Sequence, residues 1–429
     1  MEFPELVPVQ ADIQRCNRCG FCQAACPVYR VTGHEGRAAR GRYAHLKSVL
    51  AGDIPLDREL SESLSDCLLC RACTEQCPPK IRADRVMPRA RAAYADQLGR
   101  SAIQRFVFRR ALHNPAMLAS LARLAIVAER LGLARLSSWL GRLPGLSPGL
   151  TAAPALLEEA RGAFLRRRLR NRQPTTGSRR ATYFVGCGIN YALPAAGEAT
   201  ITLLEKAGFG VTVAENVCCG LPAYAYGDLE AARELARRNL GALEGADLVV
   251  TDCASCSSFL KDYPHLFDGE EAERAALFAA RVRDLTEVLV PDESMEQRDS
   301  EGVATIRATY HDPCHLSRYQ DLREEPRALL RSLPGVDFAE LPEADWCCGG
   351  AGTYLLSHYE LSRRILDRKV DNIVSTGADV VVTACPACVL QISYGLRQRR
   401  LPIRAVHLAE FIAGRGSSRA EDRAGAEKP

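Results

Sequence analysis

A duplicated α/β unit with parallel sheets, preceded by a small helical domain rich in cysteine, is the architecture that the sequence predicts. Three observations lead to it. Two runs of four cysteines stand near the N-terminus, a different pattern of five cysteines occurs twice further on, and around that second pattern short apolar strands alternate with helices. The length, 429 residues, suffices for two to four domains with cores of their own.

The outlying number is 18 cysteines. Disulfide-rich secreted proteins are usually short and carry a signal peptide. The N-terminal stretch here, MEFPELVPVQADIQR, has acids early, no apolar segment and no small-residue cleavage site. No uncharged run of about 18 residues is free of Pro and Gly, so no membrane span is expected. These features point to a cytoplasmic chain, free or peripheral on the inner face of the membrane, whose thiols stay reduced and serve metal. The net charge of +4 is unevenly spread. Residues 97–180 carry 16 Arg against Glu129, Glu158 and Glu159, a balance of +13 that leaves −9 for the rest. Such asymmetry predicts a docking surface in the middle of the chain.

Residues 1–95 hold both cysteine runs, joined by a Gly/Arg-rich stretch and a helix-like segment, RYAHLKSVLAG. Residues 96–176 lack cysteine and read as a basic, largely helical connector. There Leu121, Leu124, Ala128 and Leu131 fall on one helix face, with Arg123 and Arg130 opposite. The run RRRLRNRQPTTGSRR closes this region as a linker. Residues 177–300 and 301–413 are copies of one domain, since equivalent cysteines are offset by 127, 129 and 132 residues. In the first copy ATYFVGC, FGVTVAE and ADLVVTDC read as strands around the helices EATITLLEKAG and LEAARELARRNLGALEG. The second answers with RATYHDPC, VDFAELPE and ADVVVTAC around PRALLRSLPG and ELSRRILDRKVDNIVSTG. Strands separated by helices imply a parallel sheet. Cys187, Cys253, Cys314 and Cys385 fall at or just past strand C-termini, the edge where open α/β sheets gather ligands. Residues 414–429 read as a disordered tail.

Cys16, Cys19, Cys22 and Cys26 are followed by Pro27; Cys67, Cys70, Cys73 and Cys77 are followed by Pro78. Three cysteines spaced C-x2-C-x2-C wrap a loop around one iron–sulfur cube, and the fourth, on a short following helix, reaches the other. The expected ligands of one [4Fe–4S] cluster are therefore Cys16, Cys19, Cys22 and Cys77. Those of the other are Cys67, Cys70, Cys73 and Cys26. Zinc, by contrast, prefers paired C-x2-C knuckles. Gly20 is expected to let the backbone approach the cluster sulfurs. The duplicated sets are Cys187, Cys218, Cys219, Cys253 and Cys256, then Cys314, Cys347, Cys348, Cys385 and Cys388. Each offers one thiol more than a tetrahedral ion uses. A vicinal pair is too tight for two ordinary ligands of one small ion but can bridge two irons, with Gly220 or Gly349 relieving the turn. Zinc on four of the five thiols, or buried structural thiols, are the other readings. Runs and sets together use every cysteine.

His311 and His315 flank Cys314. They are candidates for proton delivery or for a thiol-activating base, set against the plainer reading of side chains whose hydrogen bonds shape the loop. Trp346 reads as core. CCGGAGTY lacks a P-loop Lys-Ser/Thr and is expected to turn backbone amides toward sulfur, not phosphate. No GxGxxG opens a helix, so neither NAD nor FAD is expected on this chain. The basic middle lacks the interleaved aromatics of nucleic-acid readers, which excludes that partner. A membrane surface or a partner subunit remains for it.

With these motifs on the page, the chain resembles a known family. CNRCGFCQAACPVYRVTG and CLLCRACTEQCP, followed by two CCG domains, are similar to the iron–sulfur subunit of glycolate oxidase and its heterodisulfide-reductase-D-like relatives. YHDPCHLSR, CCGGAGTYLLSHYELSRRILDRKVDNI and CVLQISYGLR extend the match over nearly the whole chain except the tail. The resemblance implies a two-cluster ferredoxin-like domain followed by a CCG-domain pair. It also implies an electron-transfer subunit of an oxidoreductase that works with a separate FAD-binding 2-hydroxyacid dehydrogenase and passes electrons to a quinone or another acceptor. In relatives that reduce disulfides, all five cysteines of a CCG set hold a noncubane [4Fe–4S] cluster, so one or two further clusters are implied. Glycolate-oxidase-type sequences commonly keep one cysteine where this chain has CASC and CPAC. The complete pairs resemble the heterodisulfide-reductase branch, which gives the alternative of disulfide reduction at the CCG sites themselves.

Overall fold

The structure is a computed structural model that describes residues 3–130, 163–291, 305–352 and 354–415. Leu131, Trp139, Glu158, Glu159 and all but the first residues of the tail lie outside them.

Among the described residues, eight strands form two sheets. In the first, β1 (Arg179–Tyr183), β2 (Phe209–Val213), β3 (Val249–Thr251) and β4 (Val282–Asp284) run in the order β2-β1-β3-β4, every pair parallel. In the second, β5 (Ile306–Tyr310), β6 (Val336–Ala339), β7 (Val380–Thr383) and β8 (Arg404–His407) run β6-β5-β7-β8, again all parallel. The central strands β3 and β7 are buried throughout. Their unbroken valine runs suit a sheet covered on both faces. The fourth strand of each sheet is absent from the sequence reading, because VRD and RAVH are short and carry charge. The basic run expected as a linker is built into the first unit. Leu165 is fully buried, Arg166 donates to the carbonyls of Ala214 and Asn216, and Arg179 and Arg180 open β1.

The strand C-termini of the two units face one another. The backbone N–H of Ala254, after β3, donates to Ala384 O, after β7, at 3.1 Å, and His407 Nε2 at the end of β8 lies 2.9 Å from Asp252 O. One continuous core spans both units.

The N-terminal domain is helical. Helices Ala39–Ala51, Arg58–Ser65 and Ala83–Leu98 enclose Leu6, Ile13, Leu46, Leu64, Val86 and Met87. Asp57 caps the second helix by accepting from Leu60 N at 2.9 Å. Pro88 interrupts the third and leaves Asp84 O without its helical donor. Tyr224 of the first α/β unit supplies one, its hydroxyl lying 3.3 Å from that carbonyl. Against the second unit the domain forms an apolar seam of Cys26, Val28, Leu68 and Cys70 with Trp346, Tyr354 and Ile365. Arg318 locks it, reaching Glu75 at 3.0 Å and Asp345 at 2.8 Å.

The connector contains the expected helix, Pro115–Arg130. Leu121, Leu124 and Val127 are exposed, and Arg123 lies over the Phe164 ring at 5.6 Å. Ile103 and Phe106 of the preceding helix are exposed as well. Among the described residues no helix is long and apolar enough to cross a membrane.

Candidate metal centres

The two N-terminal runs interleave. Cys16, Cys19, Cys22 and Cys77 line one cavity, with Cys73, Arg40 and Tyr43 in its wall. Cys26, Cys67, Cys70 and Cys73 line a second, with Arg42 and Arg71. In each run the short helix comes before the fourth cysteine, not under it. Cys22 belongs to Phe21–Ala25 and Cys73 to Ala72–Glu75, while Cys26 ends the first of these and caps Pro27–Thr32. Pro27 takes the first helical position, where its missing N–H has no partner to lose. Gly20 lines the first cavity. It takes φ +90° at the start of Phe21–Ala25, and an added Cβ would meet Gln23 and Arg40.

All 18 cysteines are free thiols. Buried donors face the two cavities with no hydrogen-bond partner: Tyr43 Oη in the first, Arg42 Nη2 and Arg71 Nε in the second. Orphaned buried donors are costly and rare. Acceptor sulfides between these walls would satisfy them, so the residues fit an anionic iron–sulfur group. Arg42, fully buried among thiols, is a fixed counter-charge for it. Burial pushes the Cys22 thiol up to about 11, so loading has to expel protons.

The duplicated sets assemble at the facing strand ends. Cys253 and Cys385 cap the helices Ala254–Lys261 and Pro386–Gln398; Cys187 and Cys314 begin the short helices after β1 and β5. These positions place sulfur at the positive end of a backbone dipole. In the first set the thiols act on one another in the order Cys187, Cys218, Cys219, Cys256 and Cys253. In the second the order is Cys314, Cys347, Cys348, Cys388 and Cys385, with Cys348 hydrogen-bonded to Cys388, their sulfurs 3.4 Å apart. The second cysteine of each vicinal pair is the more acidic one. Donation from Cys218 and Cys256 draws Cys219 down to about 5, and donation from Cys347 and Cys388 holds Cys348 well below the usual thiol range. The turn after each pair needs glycine: Gly220 and Gly349 take φ +96° and +82°, and a Cβ on Gly349 would stand 2.7 Å from Ser362 O. Gly349 N points at Cys347 Sγ at 3.4 Å. A Cβ on Gly186 would lie 3.2 Å from Cys256 Sγ, so its absence keeps space beside the sulfur.

Two contacts bind these groups into a series. Cys70 of the second cavity stands against Cys347 of the second set, and Cys385 of that set against Cys253 of the first. The order in space is first cavity, second cavity, second set, first set. Cys19 is exposed at one end; at the other, Cys187 and Cys218 line a small surface cavity with Pro115, Leu118 and Arg166.

His311 is buried, with Nδ1 3.2 Å from Ala344 O; His315 Nδ1 lies 3.5 Å from Cys314 Sγ, its ring stacked on Tyr319. Trp346 is buried at the seam, donating to Ile365 O at 3.0 Å. Sequence reasoning missed Arg42, Tyr43 and Lys369. Lys369, fully buried, donates to Glu343 O at 2.6 Å and Ala344 O at 3.1 Å. Its signal was available, since it interrupts the apolar stripe Ile365, Leu366, Val370 and Ile373.

Comparisons with known proteins agree with this arrangement. The model of the 4Fe-4S dicluster domain matches residues 12–81, and that of the CCG cysteine-rich domain matches twice, at 181–261 and 308–393. The probable glycolate oxidase iron-sulfur subunit of Bacillus subtilis is 33% identical over 425 residues, covering 96% of this chain and 95% of that one. Lactate utilization protein A of Geobacillus kaustophilus is 35% identical over 240 residues, 55% of this chain and 99% of that one. Among solved structures, a glutamate racemase isoform, RacE1, from Bacillus anthracis covers 55% of this chain and 79% of its own at 14% identity, with a TM-score of 0.26 that carries no argument. With a dicluster domain, two CCG domains and a full-length relative in hand, the chain belongs to the family of glycolate oxidase iron–sulfur subunits, electron-transfer components of an oxidoreductase.

Proposed function

We propose that the chain is the electron relay of a 2-hydroxyacid dehydrogenase. A partner flavoprotein oxidises glycolate or lactate, and this chain hands the electrons on to a quinone or another acceptor. The observation that carries the reading is the unbroken series of four thiol groups, joined at Cys70–Cys347 and Cys385–Cys253. Cys16, Cys19, Cys22 and Cys77 would hold one [4Fe–4S] cluster, Cys26, Cys67, Cys70 and Cys73 the other, and each CCG set a further centre. Bound there, such clusters supply one-electron steps that divide the two-electron load of a flavin.

The two ends of the series differ, and the difference supports a direction of assembly. At the Cys19 end, Arg15, Arg18 and exposed Phe21 offer a basic surface with an apolar centre, suited to a flavoprotein. At the Cys187 end, the helix that lends Pro115 and Leu118 to the terminal cavity continues to the exposed Leu121, Leu124 and Val127, which suits a quinone at a membrane surface.

A second reading is disulfide reduction at the CCG sites, favoured by the completeness of both five-thiol sets. An anaerobic pull-down of the tagged chain from its host separates the two. The relay predicts a co-purifying flavoprotein and bleaching of visible cluster absorption by one of glycolate, D-lactate or L-lactate. No flavin, no bleaching, and reoxidation of dithionite-reduced protein by a disulfide would overturn it in favour of the reductase.

A further inference from the structure

The two α/β units are copies, yet their metal sites are not chemically equal. β1 and β5 carry the same four residues, RATY, at 180–183 and 307–310. In that frame Cys187 answers to Cys314, and the residue after the tetrapeptide is Phe184 in one unit and His311 in the other. The backbone agrees: Phe184 N donates to Val250 O at 2.8 Å and His311 N to Val382 O at 3.0 Å, each on the neighbouring central strand. The same backbone niche therefore holds a buried phenylalanine in one unit and a buried histidine in the other.

The imidazole is set up as a ligand. His311 is 1% exposed. Ala344 O can only accept, so Nδ1, 3.2 Å from it, carries the proton and Nε2 bears the lone pair. Metal-bound histidines usually donate their other ring N–H in this way. Nε2 has no hydrogen-bond partner although it is fully buried. A ring nitrogen of His311 and the sulfurs of Cys348 and Cys388 all lie within 4.8 Å of one another. The Lys369 ammonium, on the same Ala344 carbonyl at 3.1 Å, disfavours a second charge on the ring, which argues against a proton carrier. In the first unit Asn239 takes the matching place below the vicinal pair, donating to Cys218 O at 3.0 Å.

We propose that the second CCG set is a six-donor site, in which His311 Nε2 joins Cys314, Cys347, Cys348, Cys385 and Cys388 on the metal centre. The first set, with Phe184 in the equivalent position, is an all-sulfur site. The inference rests on the reading that the CCG sets hold metal. It makes the two centres spectroscopically distinct despite their shared ancestry.

The test uses the full chain, reconstituted anaerobically, with histidine labelled by 15N or left at natural abundance. Iron and acid-labile sulfide are counted first, then pulsed EPR is recorded on the oxidised and the dithionite-reduced protein. The expected result is a strong nitrogen coupling that changes with the isotope and is lost in His311→Phe, a side chain that the first unit already accommodates at this place. A coupling that survives H311F and disappears in His315→Gln would assign the ligand to the neighbour and overturn the proposal. So would iron in excess of two cubanes with no isotope-sensitive coupling in the wild-type chain, a result that needs no variant to fold. Iron for two cubanes and none beyond would instead overturn the reading beneath it, that the CCG sets hold metal.

Discussion

The first cysteine run spans Cys16 to Cys26, eleven consecutive residues whose ligand geometry is set by one turn and one short helix. The first CCG set spans Cys187 to Cys256, and nothing local holds its ends together. Its thiols meet because β1 and β3 are neighbours in a parallel sheet and their C-termini open on the same edge. The comparison separates two ways of building a metal site. A run is written in spacing, and it survives as long as its loop does. A set is written in topology, and it exists only while the sheet stands.

The interleaving of the runs is the sharpest place to break that contrast, because it makes a local motif depend on a distant one. Cys26→Ser should remove the cluster of the other run, costing about four irons of about eight held as cubanes. Iron analysis with EPR checks it, and two intact cubane signals would refute the crossed sets. Next in size is the seam that ties the helical domain to the second sheet. Trp346→Ala empties a buried indole site and should lower the stability of the loaded chain by about 3–5 kcal/mol in chemical denaturation. A shift below about 1 kcal/mol would mean that the two parts stand independently.

The same seam should be sensitive to acid through His358. Burial, then the guanidiniums of Arg91, Arg37 and Arg42, hold its imidazole down to about 4, although Asp66 lies 3.8 Å away. The folded pKa is below the ordinary value of 6.5, so the unfolded chain takes up the proton first as pH falls. Stability is therefore undiminished above pH 6.5 and declines toward pH 4, by about 3 kcal/mol at most. His358→Gln should flatten the pH dependence of the denaturation midpoint across that window. The smallest effect belongs to the graft of Tyr224 onto the Pro88 gap. Tyr224→Phe leaves Asp84 O without a donor and should cost about 1 kcal/mol, with cluster content unchanged.

What could be read without the structure follows the same division. The cysteine spacing, the repeat and three strands of each sheet were legible, because each is a pattern within a few tens of residues. The β4 and β8 strands were not: three or four residues with an exposed arginine carry no period of their own, and pairing with β3 and β7 makes them strands. The joints Cys70–Cys347 and Cys385–Cys253 were invisible for a stronger reason. No spacing relates residues 277 positions apart, and only the packing of three units brings them together. Where a single side chain broke its local pattern, as Lys369 does on an apolar stripe, the sequence did hold the signal.

The burial of the second cavity has a consequence in time. Cys26, Cys70 and Arg42 lie beneath the seam formed with Trp346 and Tyr354, and each is less than a tenth exposed. Once the helical domain has docked, no iron donor can reach them, and a guanidinium closed in without its anionic partner opposes docking. That burial predicts an ordered biogenesis, with iron delivered to an open N-terminal domain before closure onto the second sheet; chain made under iron scarcity should then be cut by protease faster than the loaded chain.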